Sequence, residues 1–169
     1  MKFSLSIVAA ALLAPLTAAA PAAAAVARQE KAYQIRGVTD PIFHLYLQAI
    51  ASSENAGATQ PILGPEASAD TFFIGGTIQS ETTGLYLNLE DVDGKSYLRL
   101  VFGETGTTTA WGLEGDTIVT VNGSEYGRQL NFVVCAAGNG YYEAYLQTGN
   151  DLPPGDCSNY KTLHLPCLC

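Results

Sequence analysis

The stretch IFHLYLQA, residues 42–49, alternates apolar and polar side chains. A period of two is typical of a β-strand with one face in a core and the other in solvent. The inward positions are Phe43, Leu45, Leu47 and Ala49, and the outward positions are His44, Tyr46 and Gln48. The stretch therefore predicts a half-buried strand.

The same period returns along the rest of the chain, most clearly in residues 84–90, 96–102, 129–135 and 141–147. Weaker strand patterns cover residues 33–38, 72–78, 109–113, 117–121 and 160–165. Glycine, asparagine and proline separate these runs, as they do in tight turns. The segment 51–69, rich in alanine, serine, glycine and proline, is predicted to be a long surface loop.

This regular spacing of short strands, with no helical period after residue 25, predicts one all-β domain. We expect a compact β-barrel or β-trefoil-like domain, with a two-sheet β-sandwich as the alternative. Trp111 is expected in the core, because tryptophan is largely buried on average. The other expected core residues are Phe43, Leu45, Leu47, Leu85, Leu87, Leu98, Leu100, Leu130, Phe132 and Leu146.

The first 25 residues have the composition of a secretory signal peptide. Lys2 precedes an apolar run, and small residues follow with cleavage expected after about Ala19 or Ala25. Residues 26–169 would then form the single all-β domain of a secreted protein. No later stretch reaches the roughly 20 apolar residues that a membrane helix needs, so no membrane association is expected.

Acidic residues dominate the chain, with 16 Asp and Glu against 8 Lys and Arg, a formal net charge of −8. Residues 1–25 hold one basic residue and no acidic one, so their removal makes the charge −9. A surface of this sign repels nucleic-acid phosphates and anionic lipid headgroups. Nucleic acid is therefore not an expected partner.

Four cysteines lie between residue 135 and the C-terminus: Cys135, Cys157, Cys167 and Cys169. In an exported chain the default expectation is two disulfides, and three pairings of four cysteines remain open. Cys-x-Cys without a second close pair is a poor zinc pattern. No metal site and no cofactor are predicted.

Three tyrosines stand beside amides on predicted outward strand faces: Tyr46 with Gln48, Tyr86 with Asn88, and Tyr145 with Gln147. A tyrosine ring can stack on the apolar face of a sugar while an amide binds its hydroxyls. These six residues form a candidate glycan-binding set. Ordinary strand composition is the alternative, since tyrosine is enriched in strands for packing reasons.

No pattern in the chain indicates catalysis, and no catalytic residue is predicted. His44 and His164 have no sequence-local partner for acid–base work or metal binding, and no G-x-S-x-G elbow is present. Carboxylates cluster at residues 90–93 and 114–116, which are interpreted as solvated turns. A small hydrolase built on two distant carboxylates is the less favoured alternative.

Asn122-Gly123-Ser124 is an N-glycosylation sequon on a predicted hairpin tip. Exposed sequons of secreted chains are ordinary acceptors, so modification of Asn122 is expected. A bare type I′ turn is the alternative interpretation of Asn-Gly.

Five blocks carry a resemblance to a known family. They are DPIFHLYLQA from Asp40, GPEASADTFFIGGTIQSETTGLYLNL from Gly64, TAWGLEGDTIVT from Thr109, GRQLNFVVC from Gly127 and PPGDCSNYKTLHLPCLC from Pro153. Across nearly the whole of residues 26–169 the chain resembles fungal secreted IgE-binding proteins. It is similar, more distantly, to phialide-type cell-wall proteins, from which the second terminal cysteine, Cys169, departs.

The resemblance implies an extracellular or wall-associated, non-catalytic fungal protein. Its implied partner is host IgE, which reflects the host response. Cell-wall polysaccharide is a separate candidate partner, through the tyrosine–amide set. It offers no catalytic residue to transfer to this sequence.

Overall fold

The computed structural model describes residues 31–52 and 58–166. Within these residues the chain forms thirteen strands and one 3₁₀ turn, Glu66–Ser68. The strands are β1 Arg36–Gly37, β2 Leu45–Ala51, β3 Thr59–Pro65, β4 Phe72–Ile74, β5 Ile78–Ser80, β6 Tyr86–Asp91, β7 Tyr97–Gly103, β8 Trp111–Glu114, β9 Thr117–Thr120, β10 Phe132–Gly138, β11 Tyr141–Gln147, β12 Cys157–Lys161 and β13 Leu163–His164. The prediction of an all-β domain is confirmed. No helix among the described residues is long and apolar enough to cross a bilayer.

Eleven strands follow one another around a nearly closed, barrel-shaped sheet, in the order β4-β5-β6-β7-β11-β3-β2-β1-β13-β9-β8. The remaining two lie off this path, where β10 pairs with both β11 and β12. Every strand pair in the sheet is antiparallel. Of the architectures expected from the sequence, the structure therefore has the barrel-like one.

Trp111 joins the two ends of the strand path. Its backbone N–H donates to the carbonyl of Gly76, in the β4–β5 turn, at 3.0 Å. Its indole Nε1 donates to the carbonyl of Leu87 at 2.9 Å, and the side chain is 2% exposed. The predicted core position of Trp111 is confirmed, and its one polar atom is satisfied inside the barrel.

Inward positions of the strands fill the barrel with aliphatic and aromatic side chains. Buried as predicted are Leu47, Leu87, Leu98, Leu100, Phe132 and Leu146. Leu45, Leu85 and Leu130 are only partly buried. The period of two therefore identified the inner face of the long strands, whose alternation continues without interruption.

Phe43 is wrongly predicted as a core residue, since it is 56% exposed. Strand β2 begins only at Leu45, after His44 adopts a φ of +57°. That left-handed residue interrupts the alternation, and Ile42 occupies the core instead, with 0% exposure. The ring of Phe43 contacts His44 edge-on at a centroid distance of 4.2 Å.

The predicted loop over residues 51–69 is wrong for β3, which pairs with β2 along its whole length. Residues 53–57 of that prediction lie outside the described residues. Pro61 and Pro65 have no backbone N–H to donate to a neighbouring strand. Their presence therefore argues against a central strand. On its other edge β3 has one register pair with β11, Leu63 with Tyr142. The prolines are tolerated because β3 is only partly flanked on that edge.

Candidate functional site

A hollow on the surface lies where strand β11 changes its neighbour. Tyr142 pairs with β3, whereas residues 145–147 pair with β7. Strands β3 and β7 share no register pair among the described residues, and the surface between them opens into a hollow of about 460 Å³. Its lining includes Gln60, Glu90, Arg99, Glu143, Tyr145 and Pro153.

Tyr145 is held rigidly in this hollow. Its hydroxyl donates to Oε2 of Glu143 at 2.7 Å, and its ring meets Tyr97 edge to face at a centroid distance of 5.5 Å. Burial, followed by the hydrogen bond to Glu143, raises the pKa of Tyr145 well above its ordinary value. The phenol is therefore neutral at physiological pH, with its ring oriented before any ligand arrives.

Charged side chains line the same surface in a cross-strand row. Arg99 on β7 is the register partner of Tyr145 on β11 and of Glu90 on β6. Arg99 and Glu90 are exposed, and Glu143 is half-buried. An aromatic ring flanked by two carboxylates and a guanidinium supplies a stacking face together with strong acceptors and donors. Such a surface can bind a polar ligand that also has an apolar face.

A scan against protein-family models, a search of the curated proteins and a search of the solved structures each found no match to this chain. The hollow is therefore interpreted from its own chemistry.

Tyr46 and Gln48 do not form the exposed pair that the sequence predicts. They are only 3% and 2% exposed. The Gln48 amide Nε2 donates to the carbonyl of Pro65 at 2.8 Å, a contact that ties β2 to the end of β3. Burial of these two side chains removes them from any glycan surface.

Asn88 is likewise buried, and it holds a loop in place. Its Oδ1 accepts the backbone N–H groups of Thr107 and Thr108 at 2.9 and 3.1 Å, and its Nδ2 donates to the carbonyl of Thr105 at 2.8 Å. Tyr86 is partly exposed and outside the hollow. In the predicted Tyr86–Asn88 pair, Asn88 therefore has a structural role, because the loop covers its amide group.

Gln147 completes the set with a third buried amide. Its Oε1 accepts the N–H of Tyr160 at 3.0 Å, and its Nε2 donates to the carbonyl of Gly149 at 2.9 Å. Of the six predicted residues only Tyr145 lines the hollow. The three tyrosine–amide pairs lie on different strands, and the structure does not bring them together.

The hollow also contains charged residues that are not among the six predicted glycan-binding residues. Glu90, predicted both at the end of the strand pattern 84–90 and in a solvated turn, lies in β6, and the turn follows at Val92, whose carbonyl accepts the N–H of Lys95. Glu143 and Arg99 occupy outward positions of recognised strands, so the period of two contained a signal for both. Their position next to Tyr145 depends on strand register, which a period of two does not specify.

One predicted disulfide is confirmed. Cys135 and Cys157 are register partners on β10 and β12, with an S–S distance of 2.07 Å. Cys167 and Cys169 lie outside the described residues. Among the residues that the structure describes, no three of His, Cys, Asp and Glu form a group that could hold a metal ion.

The two histidines lie apart from the hollow. Nδ1 of His164 lies 3.2 Å from Oδ1 of Asp116, and its Nε2 lies 2.8 Å from the Thr162 hydroxyl.

Glu114, from the second acidic cluster, forms a bidentate ion pair with Arg128 on the surface. The hydrogen bond from Arg128 lowers the pKa of Glu114.

Asn122 is exposed, in a turn that differs from the predicted one. The N–H of Ser124 bonds to the carbonyl of Val121, and Gly123 has a φ of +92° while Asn122 is not left-handed. These features fit a type II turn rather than type I′. The turn is also not a hairpin tip, because β9 and β10 on either side share no register pair.

Proposed function

We propose that this chain is a secreted, non-catalytic, wall- or surface-associated protein that binds carbohydrate through the hollow around Tyr145. The observation that carries the proposal is the fixed Tyr145 ring, oriented by Glu143 and Tyr97 beside Arg99. A preoriented tyrosine loses little conformational entropy on binding, and the charged groups can hydrogen-bond sugar hydroxyls.

Secretion is supported by the composition of residues 1–25 and by the Cys135–Cys157 disulfide, since disulfides persist in oxidising compartments. The resemblance to fungal IgE-binding and phialide-type wall proteins supports an extracellular or cell-wall location. Recognition by host IgE belongs to the same proposal. Fractionation of expressing cells tests the location, and a protein found wholly in the medium would contradict wall association.

Co-sedimentation with insoluble chitin, β-glucan and mannan tests carbohydrate binding. We expect saturable binding to one polymer and roughly tenfold weaker binding by Tyr145→Ala, because the stacking ring is lost. Tyr160→Ala is the matched control, since Tyr160 is 60% exposed and outside the hollow. Equal binding by both variants, or no binding to any polymer, would overturn the proposal.

A small hydrolase is the second candidate, because Glu90 and Glu143 line the same hollow. We rank it lower because Arg99 adjoins Glu90 and the Glu143 carboxylate already accepts the Tyr145 hydroxyl. Release of new reducing ends from the bound polymer, abolished by Glu90→Gln or Glu143→Gln, would favour hydrolysis over binding alone.

Glycosylation of Asn122 is part of the proposal, supported by its exposure in a surface turn. The protein secreted from a eukaryotic host should lose mass on treatment with an N-glycosidase. Asn122→Gln should remove the shift. An unshifted wild-type chain would mean that the turn stays bare.

A further inference from the structure

A second hollow, of about 360 Å³, lies beside the first and shares two of its lining residues, Gln60 and Glu143. The two hollows therefore adjoin at these side chains, along β3 and β11. We call the two together the β3–β11 groove. Its far half is lined by Tyr141 together with Ile50, Ile62 and Asn139.

Tyr141 gives the far half of the groove its own aromatic ring. The ring lies over Gly64 of β3, where a Cβ atom would come within 2.6 Å of its Cδ1 atom. Tyr141 and Tyr145 share the outward face of β11, four positions apart, a separation of ~13 Å along a strand. Glu143 stands between them on the same face.

We propose that the β3–β11 groove binds an extended polysaccharide chain that carries free amino groups. Tyr141 and Tyr145 serve as two ring platforms, and Glu143 is the carboxylate between them. This inference rests on the proposed carbohydrate binding and names the ligand class of the same site.

The separation of the two platforms requires a chain. A single monosaccharide ring cannot reach both tyrosines across ~13 Å, whereas an oligosaccharide lying along β11 contacts them in turn. Both rings are held by the protein, Tyr145 by Tyr97 and Glu143 and Tyr141 against Gly64. Occupying the second platform therefore adds contacts at small further entropic cost.

The charge of the groove selects amino sugars. Glu143 stands at its centre and Glu90 on its wall, and Arg99 is the one basic residue among the lining residues of the two hollows. An ammonium group donates charge-assisted hydrogen bonds to a carboxylate and is attracted to a tyrosine face. The acidic surface of the whole chain attracts the same ligands and repels uronate chains.

Calorimetric titration with three soluble oligosaccharide series tests the inference: glucosamine oligomers, N-acetylglucosamine oligomers and galacturonate oligomers. At low salt we expect the glucosamine series to bind best, with affinity rising steeply once the oligomer spans both tyrosines. Tyr141→Ala should weaken the long oligomers roughly tenfold and leave the short ones nearly unchanged. Glu143→Gln retains an acceptor for the Tyr145 hydroxyl and should weaken binding by about fivefold, since an ion pair at a half-buried carboxylate is lost.

The controls are Glu104→Gln, which removes the same charge from an exposed residue outside both hollows, and Tyr160→Ala. Equal binding of the N-acetylated and free-amine series, unaffected by Glu143→Gln, would overturn the inference but leave the proposed function standing. Salt-sensitive binding that survives both groove substitutions would show diffuse attraction to the acidic surface and would also overturn it. Failure of every oligomer and polymer to bind would remove the proposed function as well.

Discussion

The ring of Tyr141 lies against Gly64, and no side chain fits beneath it. A Cβ atom at position 64 would also meet the Gln48 amide nitrogen at 2.8 Å. We expect Gly64→Ala to destabilise the fold by about 1–3 kcal/mol through overpacking, and to displace the Tyr141 ring. Denaturant unfolding measures the first effect and oligosaccharide titration the second. Gly75→Ala is the matched control, because nothing lies within 4 Å of its Cβ position.

Replacing Asn88 should loosen the loop that crosses β6. In Asn88→Ala the N–H groups of Thr107 and Thr108 and the carbonyl of Thr105 lose their partner. Unsatisfied buried groups cost about 1–3 kcal/mol each, and part of that is recovered if water enters. We expect a loss of about 2–3 kcal/mol in the free energy of unfolding. Asn150→Ala, at an exposed position, should change it by less than about 0.5 kcal/mol.

Removal of the Cys135–Cys157 disulfide should lower stability without changing the strand content. The bridge closes a segment of 22 residues in sequence separation, for which the chain-entropy relation gives about 3 kcal/mol. The double variant Cys135→Ala with Cys157→Ala avoids an unpaired thiol. Chemical denaturation followed by circular dichroism measures the loss. An unchanged unfolding midpoint would show that the β10–β12 pairing alone supplies the stability.

Stability should fall in acid partly through Asp151. Its carboxylate accepts the backbone N–H and the hydroxyl of Ser96, both at 3.0 Å, and these hydrogen bonds lower its pKa. Because the folded-state pKa is below the unfolded value, the folded chain binds fewer protons. The contribution is complete above the ordinary aspartate range, near pH 4, and disappears as the pH falls through the lowered pKa.

Unfolding midpoints measured between neutral and strongly acidic pH test this expectation. Asp151→Asn should flatten the acid limb of the profile. Asp156→Asn makes the same charge change at a side chain on the same loop and serves as the control. Parallel acid limbs in wild type and Asp151→Asn would contradict the assignment.

The inner face of the barrel was readable from the sequence, because burial on one face leaves a local period of two. Leu87 and Leu89 on β6, and Leu98 and Leu100 on β7, follow it directly. Strand β3 was missed because its two prolines conflict with strand propensity, and only its pairing with β2 overrides that conflict. Phe43 was misplaced because a single left-handed residue, His44, ended the period.

The outer face was less predictable, since alternation gives the direction of a side chain but not what covers it. Gln48 and Gln147 lie on outward strand positions, yet contacts formed by β3 and by Tyr160 bury them. The groove arises where β11 changes its partner from β3 to β7. That change is a matter of long-range register, so Tyr145 could be named from the sequence but not its neighbours Arg99 and Glu90.

The pairing of β1 with β13 joins Arg36 to His164 and so brings together the first and last strands of the described residues. During synthesis this pairing cannot form until β13, the last of the described strands, has been made. Until then β1 and β9 present edges that await β13, and exposed edges invite association with other chains. Capture of the unfinished chain by chaperones should therefore depend most strongly on β13, and truncation before Leu163 should leave these two edges exposed.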